Sequence, residues 1–121
     1  LSKIKILIFK NIINKAHLME LIDGVNQDVS QKVRIKNTKE LISYSYAVAG
    51  TVGLMMSQIL NIKEEIAKKY AIDLGIAFQL TNIARDIIED SKINRIYIPH
   101  ILGIDQELIE DNRRSGNQKF N

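Results

Sequence analysis

The sequence predicts an all-α fold of antiparallel helices. Three observations carry that reading: apolar residues recur at spacings of three and four near the start, an uncharged run fills the middle, and only Asn61 separates that run from a third periodic segment. Helices joined so tightly fold back on one another. At 121 residues the chain fits one domain, and 45% hydrophobic with 26% charged residues is the balance of a folded protein.

The first helix is expected from Ile4 to Ile22, with Ile4, Ile8, Ile12, Leu18 and Ile22 along one side. Gly24 stands where such a helix would stop. The basic, apolar opening has the flavour of a signal peptide, but Lys3, Lys5 and Lys10 interrupt it and no small-residue cleavage site follows. Residues 26–37 are polar and read as a loop or irregular extended segment, with Asn37 or Thr38 placed to cap the next helix.

That second helix spans Leu41 to Ile62, 22 residues without a formal charge and long enough to cross a bilayer. The run also holds Ser43 through Tyr46, Thr51, Ser57, Gln58 and Asn61, which an isolated lipid-facing helix would leave unpaired. A buried core helix is therefore the better reading. The third helix runs from about Lys63 through Asp90 and opens on Glu64 and Glu65, favourable charges at a helix N-terminus. Antiparallel pairing across Asn61 sets Tyr44 beside Gln79. Residues 91–94 then form a polar turn, Arg95 to Ile98 is extended, Pro99 stops it, and Asp105 caps a last short helix to Asn112. The domain is expected over residues 1–110. Residues 111–121, polar and without an apolar period, are expected to be a disordered tail. Leu1 in place of Met and this frayed end read as a piece of a longer protein.

The net charge of +3 is scattered, and no basic run is interleaved with aromatics, so nucleic acid is not an expected partner. Without cysteine there is neither a disulfide framework nor a thiolate zinc site, which suits a reducing, cytoplasmic setting. His17 and His100 lie far apart and form no zinc pattern.

At about 100° per residue, Gln79, Asn82, Asp86 and Asp90 share a helix sector of roughly 80°. In an otherwise apolar stretch such a stripe faces a cavity, because uncompensated carboxylates are costly inside hydrocarbon packing. Carboxylates one turn apart repel unless water or a cation relieves them. Oxygen ligands at this spacing suit Mg²⁺, which takes carboxylates together with waters and phosphate oxygens, and Asn82 adds a neutral oxygen. The same Asp86, Glu89 and Asp90 would also serve as a solvated helix end. Their charge opposes the helix dipole there, so local stability does not explain them.

Residues 74–90 (LGIAFQLTNIARDIIED), followed by RIYIP at 95–99, closely resemble the second signature of squalene/phytoene synthases. The family's other signature is resembled by residues 44–53 (YSYAVAGTVG), and a weaker likeness reaches back to LIDG at 21–24 and to Asp28. The wording around Phe78 to Asp86 is most similar to bacterial phytoene synthases, with dehydrosqualene and hopanoid-pathway relatives close behind. The resemblance implies a partial isoprenoid-synthase-like fold and a prenyl diphosphate substrate. The implied reaction joins two geranylgeranyl diphosphates head to head to phytoene. A farnesyl-using synthase and a non-catalytic assembly module of the same fold are the alternatives.

By the same resemblance, Asp86 and Asp90 hold Mg²⁺, with Mn²⁺ as a substitute, and Asn82 joins them as a ligand. Gln79 and Asn82 line the site, Arg85 stands beside the metals, and Tyr44 handles the cation or transfers a proton. Arg95 and Tyr97 are weaker candidates for closing over the diphosphate. Gly50, Gly53 and Gly75 are costly inside helices and imply either close helix approach or, at Gly75, room for an isoprenoid chain. The family pairs two aspartate motifs on facing helices and the first is absent from this sequence, so the segment alone is expected to be inactive. Peripheral association with a membrane is left open, as is the oligomeric state.

Overall fold

A computed structural model of the protein describes residues 2–29, 32–99, 111, 114 and 115. The expected single helix from Ile4 to Ile22 is in fact two, α1 (Ser2–Phe9) and α2 (Lys15–Asp28). Asn11 ends the first by entering the left-handed region at φ 54°. The Asn14 side chain starts the second by accepting from the Ala16 N–H at 2.9 Å. Asparagine suits both places, and the apolar spacing runs unbroken across them, which hides the interruption. Gly24 does not stop a helix either. It is buried inside α2, where a Cβ would come 2.8 Å from the Ala47 Cβ, so its missing side chain lets α2 lie against the following helices.

Helix α3 (Thr38–Ser45) is capped by Asn37, whose side chain accepts from the Glu40 N–H at 2.8 Å, while the Glu40 carboxylate accepts from the Lys36 N–H at 2.9 Å. The chain passes through one π turn, Tyr46–Gly50, into α4 (Thr51–Ile59). The uncharged run expected as one regular helix is thus widened in its middle. Two of its hydroxyls turn inward and bond locally: Thr51 donates to the Ala47 carbonyl at 2.7 Å and Ser57 to the Leu54 carbonyl at 2.6 Å, whereas Ser43 and Asn61 are exposed. Among the described residues no helix is long and apolar enough to cross a membrane.

Asn61, at φ 58°, reverses the chain into α5 (Glu65–Arg85), which runs back along α4. Two glycines set the spacing between them. A Cβ on Gly53 would fall on the Ala71 carbonyl, and one on Gly75 on the Ala49 carbonyl, so backbone meets backbone at both points. Close approach is the reason for both glycines.

The third helix was expected to continue through Asp90, but it ends at Arg85. Asp86 (φ −105°, ψ 18°) forms a one-residue break before α6 (Ile87–Lys92). The Asp86 N–H still reaches the Asn82 carbonyl at 3.0 Å and the Asp90 N–H the Asp86 carbonyl at 2.8 Å, so the break is a kink. Ile83 and Ile87, on either side of it, both pack on the core.

Strands β1 (Val33–Arg34) and β2 (Arg95–Ile96) pair in parallel, with Val33 opposite Arg95 and Arg34 opposite Ile96. Arg34 locks the pair by donating to the Asn94 carbonyl at 2.7 Å and the Asn94 side-chain oxygen at 3.1 Å. Beneath it lies the core, built from Val33, Ile35, Leu41, Tyr44, Ile83 and Tyr97. The all-α class expected from the sequence is the class formed, with this two-residue ladder as its sheet. The expectations for Asp105–Asn112 and for the tail lie outside the described residues, except at Asp111, Arg114 and Ser115, which are helical.

Candidate active site

Three elements converge on the last residue of α2. The Tyr44 hydroxyl, from α3, donates to the Asp28 carboxylate at 2.8 and 2.9 Å, and the Tyr97 hydroxyl, just after β2, donates to it at 2.5 Å. Arg95, on β2, donates to the Asp28 main-chain carbonyl at 2.6 Å. The two tyrosine rings stack with centroids 5.0 Å apart and planes 23° from parallel. Both rings are buried, at 4% and 6% exposure. Burial is the main force raising both hydroxyls well above the ordinary 10.0, and their hydrogen bonds to Asp28 add to it. Neither tyrosine is an anion at neutral pH.

Asp90 lines a small recess with Ile83, Ile87, Arg95 and Tyr97. Its carboxyl is pushed above the usual range first by burial and then by the charge of Asp86, with Asp28 adding to the effect and Arg95 opposing it. Asp86, at the kink, differs. Arg85 grips it with two hydrogen bonds of 2.8 Å and holds its carboxyl below the usual range. The two aspartates of the pair therefore have different environments. One is matched by an arginine, and the other adds to an acidic patch that Arg95 only partly offsets.

On the other side of α5 a groove of about 400 Å³ runs between α4 and α5, walled by Val52, Met56, Leu74, Phe78 and the backbone at Gly75. Gln79 and Asn82 lie at its wall with Val48. Phe78 is 63% exposed and Leu74 57%, so the groove presents open hydrocarbon.

The sequence-derived candidates are thus divided between two faces. Tyr97, Arg95 and Asp90 line the small recess, Tyr44 joins Tyr97 at the Asp28 carboxylate, Gln79 and Asn82 line the groove, and Asp86 is paired with Arg85 at the kink. Tyr44 belongs to the core cluster with Ile83, against which Leu80 packs, whereas Gln79, its expected neighbour, lines the groove. Among the described residues no group of three or more His, Cys, Asp or Glu side chains is arranged to hold a metal ion. Asp28 was not singled out as a site residue from sequence. Its signal is slight: an acidic side chain at the C-terminal end of a helix, where the dipole disfavours it, inside the weaker part of the family likeness.

The sequence profile of the squalene/phytoene synthase family matches residues 6–118. The chain is 44% identical over 81 residues to the 15-cis-phytoene synthase of Paracoccus sp., covering 67% of this chain and 26% of that protein. It is 47% identical over 81 residues to the phytoene synthase of Pseudescherichia vulneris, with the same coverage of each. It is 45% identical over 87 residues to the chloroplastic phytoene synthase of Narcissus pseudonarcissus, covering 67% of this chain and 20% of that one. The matched region spans about a quarter of the length of the bacterial relatives. No solved structure gives a significant match. Signatures, helical architecture and relatives agree, and the chain belongs to the squalene/phytoene synthase family.

Proposed function

We propose that the protein carrying this segment is a prenyltransferase that joins two geranylgeranyl diphosphates head to head, through a cyclopropyl intermediate, to phytoene. The observation that carries this reading is an apolar groove along α5 together with a recess that holds Asp90, Arg95 and Tyr97, with the Asp86 carboxylate at the kink between α5 and α6. Such an arrangement joins a site for a charged headgroup to a surface for a hydrocarbon tail.

Asp86 and Asp90, one turn apart, would hold Mg²⁺ or Mn²⁺, while Asn82 faces the groove and stands apart from Asp90. The donor set fits, because Mg²⁺ uses one or two carboxylates and completes its shell with waters and phosphate oxygens, and the raised Asp90 carboxyl is a charge a cation would relieve. Held there, such an ion would supply positive charge to offset the diphosphate leaving group, which takes the electron pair of the allylic carbon–oxygen bond as it breaks. The groove walls Leu74, Phe78 and Met56 receive the polyprenyl chain and keep water from the cation left behind. Tyr44, held neutral, offers a polar oxygen to developing positive charge without becoming charged itself.

The test is incubation of the full-length protein with Mg²⁺ and either geranylgeranyl or farnesyl diphosphate, following release of pyrophosphate and identifying the hydrocarbon. Release with geranylgeranyl diphosphate and formation of phytoene are expected. Release with the farnesyl substrate alone assigns the shorter chain, and no release from either overturns the reading. The segment by itself is expected to be inactive, since it contributes a single aspartate pair.

A further inference from the structure

We propose that Asp28 is a positioning residue of this site: its carboxylate takes the hydroxyl protons of both Tyr44 and Tyr97, so that each tyrosine meets substrate with oxygen lone pairs and not with an O–H donor. The inference rests on the functional reading above and adds to it a residue and an orientation.

Asp28 receives three contacts from parts of the chain that are distant in sequence, 16 residues away at Tyr44, 67 at Arg95 and 69 at Tyr97. Arg95 satisfies its main-chain carbonyl, one of the groups a helix end leaves without an intrahelical partner. The side chain is left for the tyrosines. A carboxylate at this end of a helix opposes the dipole, so the local stability of α2 gives no reason for it.

The chemistry follows from counting donors and acceptors. A tyrosine hydroxyl has one proton and two lone pairs, and an ionised carboxylate only accepts. With both protons committed to Asp28, neither hydroxyl donates to a diphosphate oxygen. Each oxygen keeps its lone pairs and has no proton left to donate, which favours a neighbouring cationic carbon over an anionic headgroup. The stacked rings restrict each other, so the orientation is shared. An amide in place of the carboxylate keeps one oxygen able to accept from both hydroxyls but puts a donating nitrogen where Oδ2 accepts from Tyr44, so Tyr44 loses its shorter contact and meets a donor there.

The experiment uses the full-length protein and its Asp28→Asn, Asp28→Glu, Tyr44→Phe and Asp28→Asn/Tyr44→Phe variants. Asp28→Asn is expected to lower kcat for pyrophosphate release about 10–100-fold, the range for a group acting through its neighbour, while KM stays unchanged. Asp28→Glu is expected to recover part of the loss, and the double variant to be no slower than the worse single one. Equal kcat in Asp28→Asn and wild type, or losses that multiply in the double variant, overturns the inference. A second readout needs no turnover: proton NMR of the wild type is expected to show two slowly exchanging tyrosine hydroxyl protons, and their absence also overturns it, even where a variant fails to fold. Asp86→Asn separates the two ideas. Undiminished pyrophosphate release in that variant counts against the metal-site reading, while the hydroxyl resonances continue to report on Asp28.

Discussion

Replacing Gly53 by alanine sets two effects of opposite sign against each other. In the interior of α4 alanine is the better helix former, by about 1 kcal/mol. Against that, the new methyl points at the Ala71 carbonyl of α5, and the two helices must part by about 1 Å to restore ordinary contact. Overpacking of this kind costs roughly 1–3 kcal/mol. The upper end applies, because the obstacle is backbone fixed inside a 21-residue helix and not a side chain that can rotate away. The net expectation is a loss of about 2 kcal/mol, or roughly 10 °C in thermal midpoint for a domain of this size. Thermal unfolding followed by circular dichroism measures it, with Ala84→Gly, at an exposed position of α5, reporting the helix-propensity effect alone. Gly53→Ala combined with Gly75→Ala is expected to cost less than the two losses added, since one separation of the helices relieves both contacts. A Gly53→Ala midpoint equal to or above wild type would show that propensity wins and that the backbone contact does not hold the pair together.

Two further outcomes follow from the core. Ile83, 3% exposed between the tyrosines and the strand pair, is expected to lose about 2–5 kcal/mol as Ile83→Ala in urea unfolding, and an unchanged midpoint would contradict its burial. Tyr44 and Tyr97 keep their protons to higher pH folded than unfolded, so the unfolded state alone ionises as pH rises past the ordinary 10.0. Stability is then expected to fall above that pH by about 1.4 kcal/mol per unit for each tyrosine, and Tyr97→Phe to halve the slope. A flat alkaline profile in unfolding experiments would rule out the raised hydroxyls.

The helical hairpin was readable because its signals are local: an uncharged run, an asparagine at the reversal and a second periodic segment. The break between α1 and α2 was readable in principle, since Asn11 and Asn14 are suitable stop and start residues, but the apolar spacing outweighed them. The kink at Asp86 has no proline or glycine to announce it. Because of the kink, the polar stripe drawn on an ideal helix does not survive as a single face. Gln79 and Asn82 remain on the groove, while Asp90 lines the recess beside Arg95. Asp28 was the least legible residue of all, because its partners Tyr44 and Tyr97 are brought to it only by tertiary structure.

The parallel pairing of residues 33–34 with 95–96 acts as a clasp on this architecture. Its arms are about sixty residues apart, as the bond from Arg34 to Asn94 measures, and most of what lies between them is helix. Helical turns form from near neighbours, whereas a ladder of two residues per strand has to overcome the entropy of closing the whole intervening loop with few bonds in return. Folding therefore has a natural order in which the hairpin of α4 and α5 is complete before the clasp shuts. Since Tyr97 and Arg95 ride on the closing arm, a chain halted just before that event would have nearly all of its helix and none of its tyrosine–carboxylate knot. Helical content alone is then a poor gauge of whether a preparation of this protein is competent.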